Sequence, residues 1–93
     1  MVTRSVEVTN ALGLHARAAA RFVHLATRFN SQIRVSRDSK VMDGKSIMGI
    51  LLLAAACGST ITITAEGGDE HEAVAALTAL VESGFGEEPG CDA

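Results

Sequence analysis

Polar and apolar positions alternate over residues 4–9, with Val6 and Val8 on one side and Ser5, Glu7 and Thr9 on the other. That is the period of a half-buried strand. Asn10 to Gly13 supply turn residues. From Ala16 to Phe29 the period lengthens. Ala19, Phe22, Ala26 and Phe29 recur at helical spacing, and Arg17, Arg21, His24 and Arg28 form a second stripe on nearly the opposite side. The spacing predicts an amphipathic helix with one core face and one cationic ridge.

Gln32 to Ser36 alternates again, with Ile33 and Val35 together. Asp38-Ser39 predicts a turn and Lys40-Val41-Met42 a short returning strand, ended by Asp43-Gly44. Ser46 is a good helix N-cap before Ile47 to Ala54, a segment apolar all round, and Gly58 suits a left-handed stop. Thr60 to Ala65 is the cleanest alternation in the chain. Asp69 and Glu72 predict a capping box, and Val74, Leu77 and Val81 mark the core face of a last helix that stops before Gly84. Residues 1–85 read as one domain and 86–93 as a flexible tail. Strands joined by both a hairpin and helices predict one sheet with helices on one face, an open-faced two-layer α/β sandwich.

Composition narrows what such a domain does. In 93 residues, 47% are hydrophobic and only 3% aromatic, so the core is aliphatic and thin. The formal net charge of -3 argues against a general nucleic-acid binder, and the shortage of aromatics removes stacking platforms. The apolar run from Ile47 to Cys57 is broken by Gly49 and falls short of the ~20 residues of a membrane span. The N-terminus lacks the apolar run of a signal peptide, so a cytoplasmic protein with reduced thiols is expected. Cys57 then reads as a semi-buried small hydrophobe and Cys91 as an exposed tail thiol. His15, His24 and His71 show no metal-ligand spacing, and His71 reads as solvated beside Glu70 and Glu72. No cofactor is implied. A small module working on its surface remains.

Chemistry gathers where the first loop becomes a helix. A histidine at position 15 has free backbone N–H groups ahead of it and the positive helix end beneath it, which suits a bound phosphate. Arg17, two residues on, can add a guanidinium fork to the same oxygens. His15 is so equipped to carry a phosphoryl group on nitrogen; the plainer alternative is a capping histidine beside a solvated arginine. Gly44-Lys-Ser-Ile-Met-Gly lacks the spacing of a nucleotide P-loop.

The stretch Gly13-Leu-His-Ala-Arg-Ala-Ala, with Phe22, Phe29-Asn-Ser and Gly44-Lys-Ser-Ile-Met-Gly-Ile-Leu downstream, resembles the HPr family across roughly residues 2–84. These are phosphocarriers of the bacterial phosphoenolpyruvate-dependent sugar phosphotransferase system. The resemblance implies an α+β fold of order βαββαβα, with a four-stranded antiparallel sheet and three helices on one face. It implies that His15 takes a phosphoryl group through Nδ1 from phosphorylated enzyme I and passes it to IIA domains of sugar permeases. Arg17 matches the family's phosphate-stabilising arginine. In low-GC Gram-positive members the serine matching Ser46 is phosphorylated by a kinase/phosphorylase, so Ser46 is a regulatory candidate and transcriptional regulators are further candidate partners. A phosphoserine there would place about two negative charges against an acidic partner.

The expected partner interface has Ile47, Met48 and Leu51 as an apolar floor, with Ala16, Ala20, Arg21 and His24 around it. The chain is expected to act as a monomer. Ala18 departs from the family's usual proline, which implies an altered transfer rate with the activity kept. Two other functions fit the same residues: a regulatory binding module controlled at Ser46, and a carrier of the nitrogen-related branch. As a carrier the chain is expected to be a covalent intermediate in phosphoryl transfer and not an enzyme.

Overall fold

The computed structural model describes residues 1–86. Seven elements follow in the order β1 (Val2–Glu7), α1 (Ala16–Ala26), β2 (Gln32–Arg37), β3 (Lys40–Asp43), α2 (Ile47–Leu52), β4 (Thr60–Glu66) and α3 (Glu70–Glu82), with a 3-10 turn at Gly84–Gly86. The sheet runs β1-β4-β2-β3, and every neighbouring pair is antiparallel. This is the open-faced sandwich expected.

Strand alternation decides which face is covered. Val6, Ile33, Val35, Ile61, Ile63 and Ala65 are buried and meet Phe22, Leu53, Val74, Leu77 and Val81 from the helical side. The uncovered face is polar, and its hydroxyls pair across strands: Thr3 with Thr64 at 3.2 Å and Ser5 with Thr62 at 3.1 Å. α3 packs on β1 and β4, while α1 packs against both α2 and α3.

Several boundaries differ from the sequence pattern for local reasons. The β1–β4 ladder stops at Glu7 opposite Thr60, although Val8 stays fully buried and exchanges bonds with Ser59 and Gly58. α1 ends at Ala26, where Arg28 and Phe29 turn to the three-residue bonds Leu25 C=O and Ala26 C=O. α2 stops at Leu52, earlier than expected, with a left-handed Ala54 at φ 51° just after it; Gly58 is left-handed too, at φ 92°, but lies in the turn before β4.

The capping box at Asp69 does not form. Asp69 makes no side-chain cap bond; its carboxylate accepts the backbone N–H groups of Asn30 and Ser31, both at 2.9 Å, and the Ser31 hydroxyl. Glu70 serves the turn before α3, accepting the Gly67 N–H at 3.2 Å, and pairs with the Met1 amino terminus at 2.7 Å. The Asp-x-x-Glu pattern is real, but a tertiary partner outcompetes the local one. His71 is exposed, as expected.

Cys57, half-buried in the turn after α2, is disulfide-bonded. The expectation of a reduced thiol is thereby overturned at this position. That expectation rested on compartment alone, and a half-exposed turn leaves the sulfur open to a second thiol. The sequence's other cysteine is Cys91, which lies outside the described residues together with the rest of the expected tail beyond Gly86.

Candidate functional site

The loop into α1 is fixed before the helix begins. Asn10 is buried, with Nδ2 donating to the Gly13 carbonyl at 2.8 Å, and the Gly13 N–H returns a bond to the Asn10 carbonyl at 3.1 Å. Gly13 has φ 67°, and a Cβ there would lie 2.6 Å from the Ala55 carbonyl oxygen and 2.9 Å from Ala56 Cα. Only glycine permits that approach. Leu14, buried beside it, donates its N–H to Ala55 at 2.9 Å. The segment after α2 thus clamps the loop, and His15 emerges from an anchored backbone.

His15 is the N-cap of α1, extended at φ -81° and ψ 179°, and its Nδ1 accepts the Arg17 backbone N–H at 3.3 Å. The ring is therefore turned so that Nδ1 faces the first turn of the helix. That turn contains no acidic residue. Ala16 and Arg17 are exposed, Ala18 and Ala19 are fully buried, and Ala20 is half-buried. Arg21 and His24 lie exposed on the outer face, so the structure reproduces the predicted cationic ridge.

An open cleft of ≈ 770 Å³ adjoins His15, walled by Ala11, Leu12, Ala16, Arg17 and Arg21 and closed by Gly86. Arg21 Nη1 donates to the Phe85 carbonyl. Among the described residues no carboxylate lines this cleft or pairs with Arg17 or Arg21. An arrangement of helix start, imidazole and two guanidinium groups can receive a tetrahedral oxyanion. It has no geometry for a cation, and no metal-binding cluster occurs among the described residues.

Ser46 caps α2 as the sequence predicts, its Oγ accepting the Gly49 N–H at 3.1 Å. Such a cap is worth about 1 kcal/mol. Ile47 and Met48 are exposed next to it, at 41% and 66%, whereas Leu51 is half-buried against the core. Two exposed leucines were not anticipated: Leu52 at 54% and Leu12 at 73%. Leu52 had a signal, the four-residue step from Met48 that puts both on one helix face. An apolar residue inside the Asn10–Gly13 turn was the signal for Leu12. Gly86, which reaches the cleft from the far end of the chain, had none. No helix among the described residues is long and apolar enough to cross a membrane.

Comparison with known proteins places this geometry. A family model described as the PTS HPr component phosphorylation site matches residues 2–83. Phosphocarrier protein HPr of Cupriavidus necator is 49% identical over 87 residues, covering 94% of this chain and 98% of the relative. The HPr-like protein Crh of Halalkalibacterium halodurans is 51% identical over 82 residues, or 88% of this chain and 98% of that protein. Among solved structures, HPr-C-His from Thermoanaerobacter tengcongensis superposes with a TM-score of 0.91 at 50% identity, covering 95% of this chain and 99% of the other. Fold, element order and sequence agree along nearly the whole chain, and the chain belongs to the HPr family of phosphocarrier proteins.

Proposed function

We propose that His15 is the phosphoryl acceptor, receiving the group from phosphorylated enzyme I and passing it to IIA domains of sugar permeases. The observation that carries this reading is the orientation of His15 Nδ1 toward the acid-free first turn of α1, beside Arg17 and an open cleft. The Nδ1 lone pair of the neutral ring forms the N–P bond as the bond from phosphorus to the donor breaks, the electron pair leaving with the donor. The reverse exchange delivers the group to the acceptor domain. Phosphoenolpyruvate is consumed by enzyme I, and this chain holds no small substrate or cofactor of its own.

Arg17 binds the transferred oxygens with its guanidinium fork, and the helix start adds backbone N–H groups. Ala18 contributes an N–H that the family's usual proline lacks, so the transfer rate differs while the chemistry is kept. Both partners dock in turn on one transient face made of Ala16, Ala20, Arg21, His24, Ile47, Met48 and Leu51, to which exposed Leu12 and Leu52 add apolar area. The chain acts in the cytoplasm as a monomer. Phosphorylation of Ser46 by a serine kinase would set about two negative charges beside that apolar patch and block docking without unfolding the domain. A module regulated through Ser46 alone, docking on transcriptional regulators, is less well supported, since it leaves the His15–Arg17 arrangement without a task. The nitrogen-related branch would use the same chemistry with other partners.

Incubation with enzyme I, phosphoenolpyruvate and Mg²⁺, followed by intact-mass measurement at alkaline pH, tests the carrier reading. One acid-labile phosphate is expected, absent in His15→Ala; an unmodified mass sinks it. ATP with the serine kinase is expected to add an acid-stable phosphate lost in Ser46→Ala. If that modified protein still accepts phosphate from enzyme I at the original rate, Ser46 is a cap and not a switch.

A further inference from the structure

Arg17 and Arg21 stand one helical turn apart on α1 and share the cleft beside His15. Like charges at this spacing repel, and a protein normally separates or neutralises them. No such neutralising partner is present among the described residues: no carboxylate reaches either guanidinium, and both line one cleft. An anion seated between them would relieve the repulsion.

Arg21 is also held in place. Its Nη1 donates to the Phe85 carbonyl, and that carbonyl is fixed by an uncommon backbone run. Gly84, Phe85 and Gly86 are all left-handed, with φ 70°, 58° and 74°, and the Phe85 ring is 1% exposed. Burial of the ring keeps a non-glycine residue in a conformation it rarely adopts. A Cβ on Gly86 would sit 3.3 Å from Arg21 Nη1, so the glycine leaves room for the guanidinium. A guanidinium has five N–H donors in a planar fork, and one bond to Phe85 leaves four for another acceptor. A side chain already pinned loses less freedom when it binds.

We propose that Arg21 is a second phosphate-binding residue of the phosphohistidine site, pre-positioned by the Phe85 carbonyl. The proposal rests on His15 as the phosphoryl acceptor. Arg17 holds the phosphoryl oxygens from the helix start, and Arg21 from the side of the cleft next to the Gly84–Gly86 turn. The turn after α3 is thus a support for the site at the opposite end of the sequence.

The test uses the isolated phosphoprotein, with no partner present, so that docking cannot contribute. Phosphorus NMR followed across pH reports the second ionisation of the phosphoryl group, which nearby cations favour. Arg21→Gln keeps an N–H for Phe85 but removes the charge, and is expected to raise that ionisation by about half a pH unit or more. Arg21→Lys, which keeps the charge without the fork, is expected to lie between the two. In the unmutated protein, phosphorylation is expected to shift the guanidinium N–H resonances of both Arg17 and Arg21, a readout that needs no variant. An unchanged ionisation in Arg21→Gln, or a shift confined to Arg17, overturns the proposal. Slower transfer from enzyme I with unchanged ionisation also overturns it, and makes Arg21 a docking contact only. If the unmutated protein takes no phosphate at all, the failure lies with His15 as acceptor and is recognised as such.

Discussion

At the start of α3 the chain supplies its own carboxylates, and at the start of α1 the described residues supply none. Asp69 gathers the Asn30 and Ser31 N–H groups and the Ser31 hydroxyl, while Glu70 takes the Gly67 N–H and the amino terminus. Around His15 the described groups are an imidazole and two guanidinium ions. Both helix starts carry the same partial positive charge from aligned peptide dipoles. In α3 that charge helps tie the loop after α1, the turn before α3 and the N-terminus into one joint. In α1 the described residues bring arginines to it instead, and on the proposed function it meets an anion that arrives from outside. The difference between a joint and a receptor is whether the acid is built in.

Building an acid into the open start is the severest way to break this contrast. Arg17→Glu is expected to cut phosphoryl transfer from enzyme I by about 10²–10³-fold, with the thermal midpoint within about two degrees of the original. Transfer assays beside circular-dichroism melts decide it, and a matching loss of stability would make Arg17 structural. The converse change, Asp69→Asn, removes the built-in charge from the joint. It is expected to lower the midpoint by several degrees while phosphorylation at His15 continues at its normal rate.

Acid sharpens the same point. The Ser31 hydroxyl, followed by the Asn30 N–H, holds the Asp69 carboxyl below the usual aspartate range. A carboxyl depressed in the folded state contributes its full stability above its unfolded value and loses it as the pH falls through the folded one. Melting curves of the original protein and Asp69→Asn are therefore expected to differ near neutral pH and to converge on acidification. A constant gap would assign the effect to shape and not to charge.

The smallest effect belongs to Glu70→Gln. The amino terminus and Glu70 are joined at 2.7 Å, but the terminus is exposed and Glu70 only half-buried, so the midpoint is expected to move by about a degree, and less in high salt. The two partners titrate with opposite signs. The hydrogen bond to Glu70 raises the amine, whose contribution fades as pH rises through its folded value; the bond to the amine lowers Glu70, whose contribution fades as pH falls. A melt that ignores both ends of the pH range would show the pair to be inert.

Much of the fold was legible because periodicity reports burial directly. Ile61, Ile63 and Ala65 in β4, and Ala19, Phe22 and Ala26 in α1, are all fully or almost fully buried. What periodicity does not carry is which partner a polar group will find. Asp69 has the spacing of a local cap yet bonds residues nearly forty positions earlier. Helix ends also slip, because side chains at Arg28 and Phe29 keep helical spacing through bonds that are no longer α-helical. Of the site, His15, Arg17 and Ser46 stand at helix starts that local residue types reveal. The Phe85 carbonyl on Arg21 could not be read, since a backbone atom leaves no mark in the residue pattern.

The strand order has a consequence for how the molecule comes into being. Among the described residues β1 pairs only with β4, Val2 lying opposite Ala65, and the loop that presents His15 is clamped by Ala55. During synthesis the first strand has no neighbour until most of the chain has emerged, and such distant pairings form slowly because a long loop must close first. The histidine is made early but acquires its surroundings late. A nascent or clipped chain would display the residue without the site, so on the proposed function uptake of phosphate at His15 would report that the domain has folded.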